Sequence, residues 1–272
     1  PPQRVIPQQP VQHFEPPVLE VVAGTETPPV LLGDDVESNN QIYWQPDPNA
    51  GTPNPHALIL GNSGAGKTYA VQCMVAELAQ GGVPSLIFDY GQGFDLNSVE
   101  QEFIDMASPI EIEVGRQGVA INPLQLFPSD VHGPVNVAQR MADTFLSVYP
   151  RMGIQQHAII RQAVIGSRSA AGIQHEDPNT WTLPPPPFSS LLDRLQRISE
   201  NRDNPHRRHA ASAASHIATI FVFNTFNENV VPLDWGSIMN TRNRAVILRL
   251  SGLEKTLEKA VTEFLLWNLY GY

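Results

Sequence analysis

The chain has 272 residues, 42% of them hydrophobic and 16% charged, enough to bury a sizeable core in one large domain or one domain with an appendage. A formal net charge of −10 and a pI of about 5.2 exclude a generally basic nucleic-acid coat, though not a local basic channel, which depends on how charge is distributed. No run of about 18 apolar residues is present, so no membrane span is expected, and the single cysteine, Cys73, excludes an internal disulfide and fits a reducing cytoplasm, with no signal peptide expected.

Residues 1–30 hold many of the 25 prolines and read as an extended arm. Residues 1–50 are assigned to that proline-rich arm, with Gln41–Trp44 as a short strand in it, and residues 51–272 to the core. Pro1 is not a natural start, which suggests an excised or processed piece. After a turn-rich link over 47–55 the pattern becomes alternating strands and helices. The apolar run His56-Ala57-Leu58-Ile59-Leu60 predicts a strand. A helix follows over 68–80, with Ala70, Val71, Met74, Val75, Leu78 and Ala79 on one face and Cys73 as a core thiol, stopped by Gly81-Gly82.

Residues 84–90 read as a buried parallel strand, and the strict alternation of Ile110-Glu111-Ile112-Glu113-Val114 as a half-buried one. Helical spacing recurs over 134–149, 154–168, 189–200 and 210–219, through Ala138, Met141 and Phe145, through His157, Ile160 and Val164, and through Leu192, Leu195 and Ile198. These predict a helical insertion of about 134–220 in the core. A strand over 245–250 and an amphipathic helix over 254–270 close the chain. Short apolar strands alternating with amphipathic helices specify an α/β fold, a mostly parallel sheet flanked by helices.

The residues Gly61-Asn62-Ser63-Gly64-Ala65-Gly66-Lys67-Thr68 match Gly-x4-Gly-Lys-Ser/Thr. Its glycines allow successive N–H groups to converge on phosphate oxygens, and a following helix aims its positive dipole end at the same anion. Lys67 is placed to neutralise the β- and γ-phosphates and Thr68 to give its hydroxyl to Mg²⁺, with Tyr69 in the first helical turn. Four fixed positions coincide by chance in roughly 1% of chains this long, and the strand-loop-helix context lowers that further. The expected cofactors are therefore ATP and Mg²⁺.

Asp89 ends the next strand, before Tyr90-Gly91-Gln92-Gly93. A carboxylate there faces the ligand side of an open sheet, so Asp89 either serves catalysis beside Lys67 and Thr68 or caps a turn. No apolar run ends in Asp-Glu or Glu-Glu, the Walker B pattern that holds metal and activates water. His206-Arg207-Arg208-His209, with Arg202, either meets DNA phosphate or is a solvated helix end. No cysteine or acid completes a zinc set with His206, His209 and His216. Arg242, Arg244 and Arg249 are candidates to reach a neighbouring subunit's nucleotide.

The order of these elements resembles the HerA/FtsK superfamily of P-loop ATPases, with a RecA/HerA-like fold. The resemblance is carried by residues 55–68, by Leu86-Ile87-Phe88-Asp89, by Ile121-Asn122-Pro123-Leu124 and by Val246-Ile247-Leu248-Arg249-Leu250-Ser251-Gly252-Leu253. Within the superfamily the chain is most similar to the ATPase domain of DptH, of DNA phosphorothioation-dependent restriction systems, an impression to which Val30-Leu31-Leu32-Gly33 and Ile42-Tyr43-Trp44 contribute. The resemblance implies a hexameric ring that uses ATP hydrolysis to move or remodel double-stranded DNA, alongside a nuclease subunit. It also implies a Walker B strand after the helix ending near Tyr270, hence a C-terminally incomplete piece. Two other readings stay open: a secretion or conjugation motor, and a non-hydrolysing nucleotide-binding assembly module.

Overall fold

A computed structural model describes residues 27–47, 49, 55–223, 225–227, 229–230 and 232–272. Most of the expected proline-rich arm and most of the link at 48–54 lie outside the described residues. In chain order the elements are β1 (Val30–Asp34), β2 (Gln41–Trp44), α1 (Lys67–Gln80), β3 (Ser85–Asp89), α2 (Gln101–Ala107), β4 (Ile110–Ile112), α3 (Val114–Gln117) and α4 (Pro134–Val148). They continue with α5 (Ile154–Ala170), α6 (Ser189–Glu200), α7 (Arg207–Val222), α8 (Trp235–Asn240), β5 (Ala245–Arg249) and α9 (Lys255–Gly271).

The main sheet has the order β3-β5-β4, with both pairs parallel, in register from Ser85 opposite Ala245 to Asp89 opposite Arg249. The central strand β5 is apolar at four consecutive positions because both of its faces are covered. Successive side chains point to opposite faces. Ala245 and Ile247 join Val75, Ala76 and Ala79 of α1 and Phe103 and Ala107 of α2. Val246, Leu248 and Leu250 pack on the other side with Leu257, Val261, Phe264 and Leu265 of α9 and with α4 to α7. Helices thus flank the sheet on both faces, the α/β arrangement expected.

Helix α4 buries Val137, Ala138, Met141, Ala142, Phe145 and Val148, the stripe of a helix with one covered face. Phe264 of α9 meets Phe145, Phe188 and Phe226 edge-on at centroid distances of 5.7, 5.9 and 5.5 Å. Aromatic rings in this orientation set the positive edge of one against the negative face of another. They join α4 and the start of α6 to the sheet-covering helix. β1 and β2 pair antiparallel, with a bulge between Leu31 and Gly33. They are tied to α1 where the Leu31 N–H donates to Glu77 Oε2 at 2.7 Å.

Three expectations need correction. The segment 56–60 is not a strand; Leu58 is 82% and Leu60 79% exposed. No strand pairs with it among the described residues, and an apolar run becomes a strand only when a neighbour completes its ladder. The strand predicted over 110–114 stops at Ile112, because the chain turns at Glu113 into α3 and Val114, the first residue of that helix, is buried in the core. Cys73 is exposed rather than a core thiol: α1 is covered only along Gln72, Val75, Ala76 and Ala79. The short α2 and α8 carry too few buried positions to stand out in the sequence.

Candidate nucleotide-binding site

The phosphate loop ends at Gly66, which sits immediately before α1 in the left-handed region, at φ 80° and ψ 11°. Gly64 has the same φ of 80°. An L side chain is disfavoured at both; the pattern fixes glycine at 66, and this chain supplies a further one at 64. No side chain caps α1 and no acidic residue lies in its first turn. The N–H groups that begin the helix thus keep their capacity to bind an anion, reinforced by the helix dipole. The first intrahelical bond runs from Ala70 N–H to the Gly66 carbonyl at 2.9 Å. Within the loop the Ala65 N–H donates to the Asn62 carbonyl at 3.2 Å.

Lys67 keeps its ammonium at the loop, donating from Nζ to the Asn62 carbonyl at 2.8 Å. Residues 61–66 and 68 are exposed. Tyr69 lies in the first turn of α1 and is exposed. Its phenol turns to Cys73, and the hydrogen bond and charge of that neighbour hold the hydroxyl above its ordinary range.

Asp89 is 7% exposed at the end of β3. Its Oδ1 accepts from the Gly91 N–H at 3.0 Å and its Oδ2 from the Phe94 N–H at 3.3 Å, so the carboxylate closes the turn after the strand. That turn is set against Thr68: a Cβ added to Gly93 would lie 2.6 Å from Thr68 Cγ2. From the next turn of α1, the buried Gln72 donates Nε2 to the Gly93 carbonyl at 2.7 Å. Thr68, Asp89, Gly93 and Gln72 therefore form one cluster beside the phosphate loop. Gln72 and Gly93 are not singled out by the sequence, because a glutamine at a helical position and a glycine in a turn are both ordinary.

The three candidate arginines separate. Arg249 is engaged at Glu111, Glu113 and Asp95, with Nη1 at 2.6, 3.3 and 3.5 Å from their oxygens. Arg242 and Arg244 lie before β5, at the opposite end of the strand from Arg249, with Arg242 near Gly82 just past the end of α1. Arg202, His206, Arg207 and Arg208 are exposed around the start of α7, and none of them is in an ion pair among the described residues. No group of three or more His, Cys, Asp or Glu is placed to hold a metal among the described residues. No helix there is long and apolar enough to cross a membrane.

Residues 53–269, from before the phosphate loop into the last turn of α9, match the family described as helicase HerA, central domain. The chain belongs to the HerA central-domain family. Its fold is similar to that of VirB4 of Thermoanaerobacter pseudethanolicus, with a TM-score of 0.65 and 18% sequence identity. That likeness covers 89% of this chain and 63% of the VirB4 chain, and at this identity it speaks for the fold. No curated protein sequence matches the chain. The chain thus has a P-loop ATPase fold and belongs to a HerA-type family, and P-loop ATPases of this kind bind ATP with Mg²⁺. The residues present fit that pair: two left-handed glycines, an uncapped helix start, an ammonium held at the loop, and a hydroxyl at Thr68 with no hydrogen-bond partner among the described residues.

Proposed function

We propose that this chain is the ATP-binding part of a motor that couples ATP hydrolysis to the movement or remodelling of double-stranded DNA. The observation that carries the reading is the phosphate loop, with Gly64 and Gly66 left-handed and Lys67 at the start of an uncapped α1. Lys67 and the backbone N–H groups of the loop would hold the β- and γ-phosphates, with Thr68 supplying its hydroxyl to Mg²⁺. When bound, Mg²⁺ offsets the charge that develops on the transferring phosphoryl group. Working as a ring, with hexamer as the proposed state, would let an arginine from a neighbouring copy add to that effect. Arg202, Arg207 and Arg208 are the proposed contacts to DNA phosphate.

The finer assignment rests on the sequence resemblance to DptH-type ATPase domains. It places the motor in a phosphorothioation-dependent restriction system in the cytoplasm, acting with further subunits that include a nuclease. Residues 1–50 would be an arm and about 134–220 a helical insertion in the ATPase core.

The test is ATP binding and turnover, with and without duplex DNA, beside Lys67→Ala. Turnover that rises with DNA and is lost in Lys67→Ala is the expected result. Unchanged ATP binding in Lys67→Ala would overturn the site. Turnover indifferent to DNA would favour a secretion or conjugation motor, and binding without turnover a non-hydrolysing assembly module.

A further inference from the structure

A threonine at a helical position has more than one allowed χ1 value, and each aims its hydroxyl differently. Oγ1 and Cγ2 hang from the same Cβ, and a β-branched side chain takes a limited set of χ1 values, so whatever seats the methyl also aims the hydroxyl. In this chain the methyl is seated by Gly93. A Cβ at that position would lie 2.6 Å from Thr68 Cγ2, but 3.4 Å from Oγ1 and 3.6 Å from Thr68 Cβ. Only a hydrogen fits between the two residues, and only the methyl stands in the way.

The turn carrying Gly93 is held from two sides. Gln72 lies four residues after Thr68, on the same face of α1, and its amide donates to the Gly93 carbonyl at 2.7 Å. Asp89 accepts the N–H groups of Gly91 and Phe94, on either side of Gly93. The backbone of Gly93 is not in the left-handed region, so an alanine is excluded there by Thr68 and not by its own torsion angles. Gly91, in the same turn, has room: a Cβ would meet nothing nearer than 3.8 Å.

We propose that Gly93 and Gln72 are positioning residues for Thr68, holding its methyl so that its hydroxyl is presented to the Mg²⁺ of Mg-ATP. The proposal rests on the reading of the loop as an ATP site. Gly93→Ala forces χ1 of Thr68 to rotate or the turn to lift, and either movement takes the hydroxyl off its line. Thr68→Ser keeps the hydroxyl and removes the methyl, so it relieves the clash that Gly93→Ala creates.

The experiment measures ATP affinity of the full chain in Mg²⁺ and in EDTA, together with nucleotide-free thermal melting. The variants are Gly91→Ala, Gly93→Ala, Thr68→Ser, Thr68→Ser with Gly93→Ala, and Gln72→Leu. Gly93→Ala is expected to lose roughly 10–100-fold in affinity in Mg²⁺, with its affinity in EDTA unchanged. Gln72→Leu should lose part of the same response, Gly91→Ala none of it. The double variant should match Thr68→Ser, in Mg²⁺ response and in melting temperature. That melting comparison still reads the contact if Gly93→Ala alone folds poorly. A wild-type Mg²⁺ response in Gly93→Ala, or a double variant with a weaker Mg²⁺ response than Thr68→Ser, would overturn the proposal while leaving the ATP site standing. ATP binding that is absent in the unsubstituted chain, or indifferent to Lys67→Ala, would remove the ATP reading and this proposal with it.

Discussion

Arg249 reaches from the end of β5 to Glu111 on β4, its Nη1 2.6 Å from Oε1. Glu113 and Asp95 approach the same nitrogen, and the arginine side chain is only 12% exposed. One cation thus serves three carboxylates at the end of the central strand. Their influence raises the Arg249 pKa still further. Glu113 is held above its ordinary value of 4.5, first by sharing a hydrogen bond with Glu111 and then by burial, while Arg249 pulls it down.

Arg249→Met is expected to destabilise the chain by about 1–3 kcal/mol near pH 7, because it leaves partly buried carboxylates without a counter-charge. The sign with pH follows from Glu113. A carboxyl whose folded pKa is raised stabilises the fold while protonated, below its unfolded value, and that contribution is lost as pH rises through the folded value. Removing the cation widens this window, so the variant should lose more stability at pH 7 than at pH 4. Urea titrations of both chains at the two pH values check it; an equal loss at both would contradict the role of Arg249 as shared counter-ion.

Phe264 is 3% exposed and stands edge-on to Phe145, Phe188 and Phe226. Phe264→Ala should cost about 3–5 kcal/mol, and Phe264→Leu clearly less, since a leucine refills part of the space. Denaturant midpoints order the two variants. Equal effects would mean that the ring geometry and the cavity contribute little.

Arg207 and Arg208 sit exposed in the first turn of α7. If they meet DNA phosphate, replacing both with alanine should reduce the slope of log affinity against log salt by about two. The loss of affinity should also be the same for unrelated duplex sequences. A slope that does not change would return the pair to the role of a solvated helix end.

What the sequence made legible was whatever lies in one contiguous stretch. The phosphate loop is eight consecutive residues, and β5 announces itself by its apolar run. What it hid depends on a partner distant along the chain. Gln72 is buried because its amide finds the carbonyl of Gly93, 21 residues away, whereas a hydrophobic pattern counts glutamine as outward. The helical pattern puts Cys73 on a covered face, yet the face of α1 that is covered runs through Gln72, Val75, Ala76 and Ala79 instead. The apolar segment 56–60 reads as a strand, but strand formation requires a neighbour that its own residues do not specify.

Asp89 gives the sharpest test of local structure against chemistry. Both carboxylate oxygens accept backbone N–H groups, from Gly91 and from Phe94. Asp89→Asn would set an amide N–H₂ against one of those donors. It should therefore lose about 1–3 kcal/mol of stability, and, by loosening the turn around Gly93, part of the Mg²⁺ dependence of ATP affinity. Both effects belong to a turn-closing residue. A carboxylate that acted on the attacking water would behave differently. Its replacement would cut turnover by about 10²–10⁴-fold, at unchanged melting temperature and unchanged ATP affinity in Mg²⁺. Melting curves and ATP titrations of Asp89→Asn, read beside turnover, separate the two. Stability and Mg²⁺ response that fall together assign Asp89 to the turn, and a loss confined to turnover assigns it to the reaction.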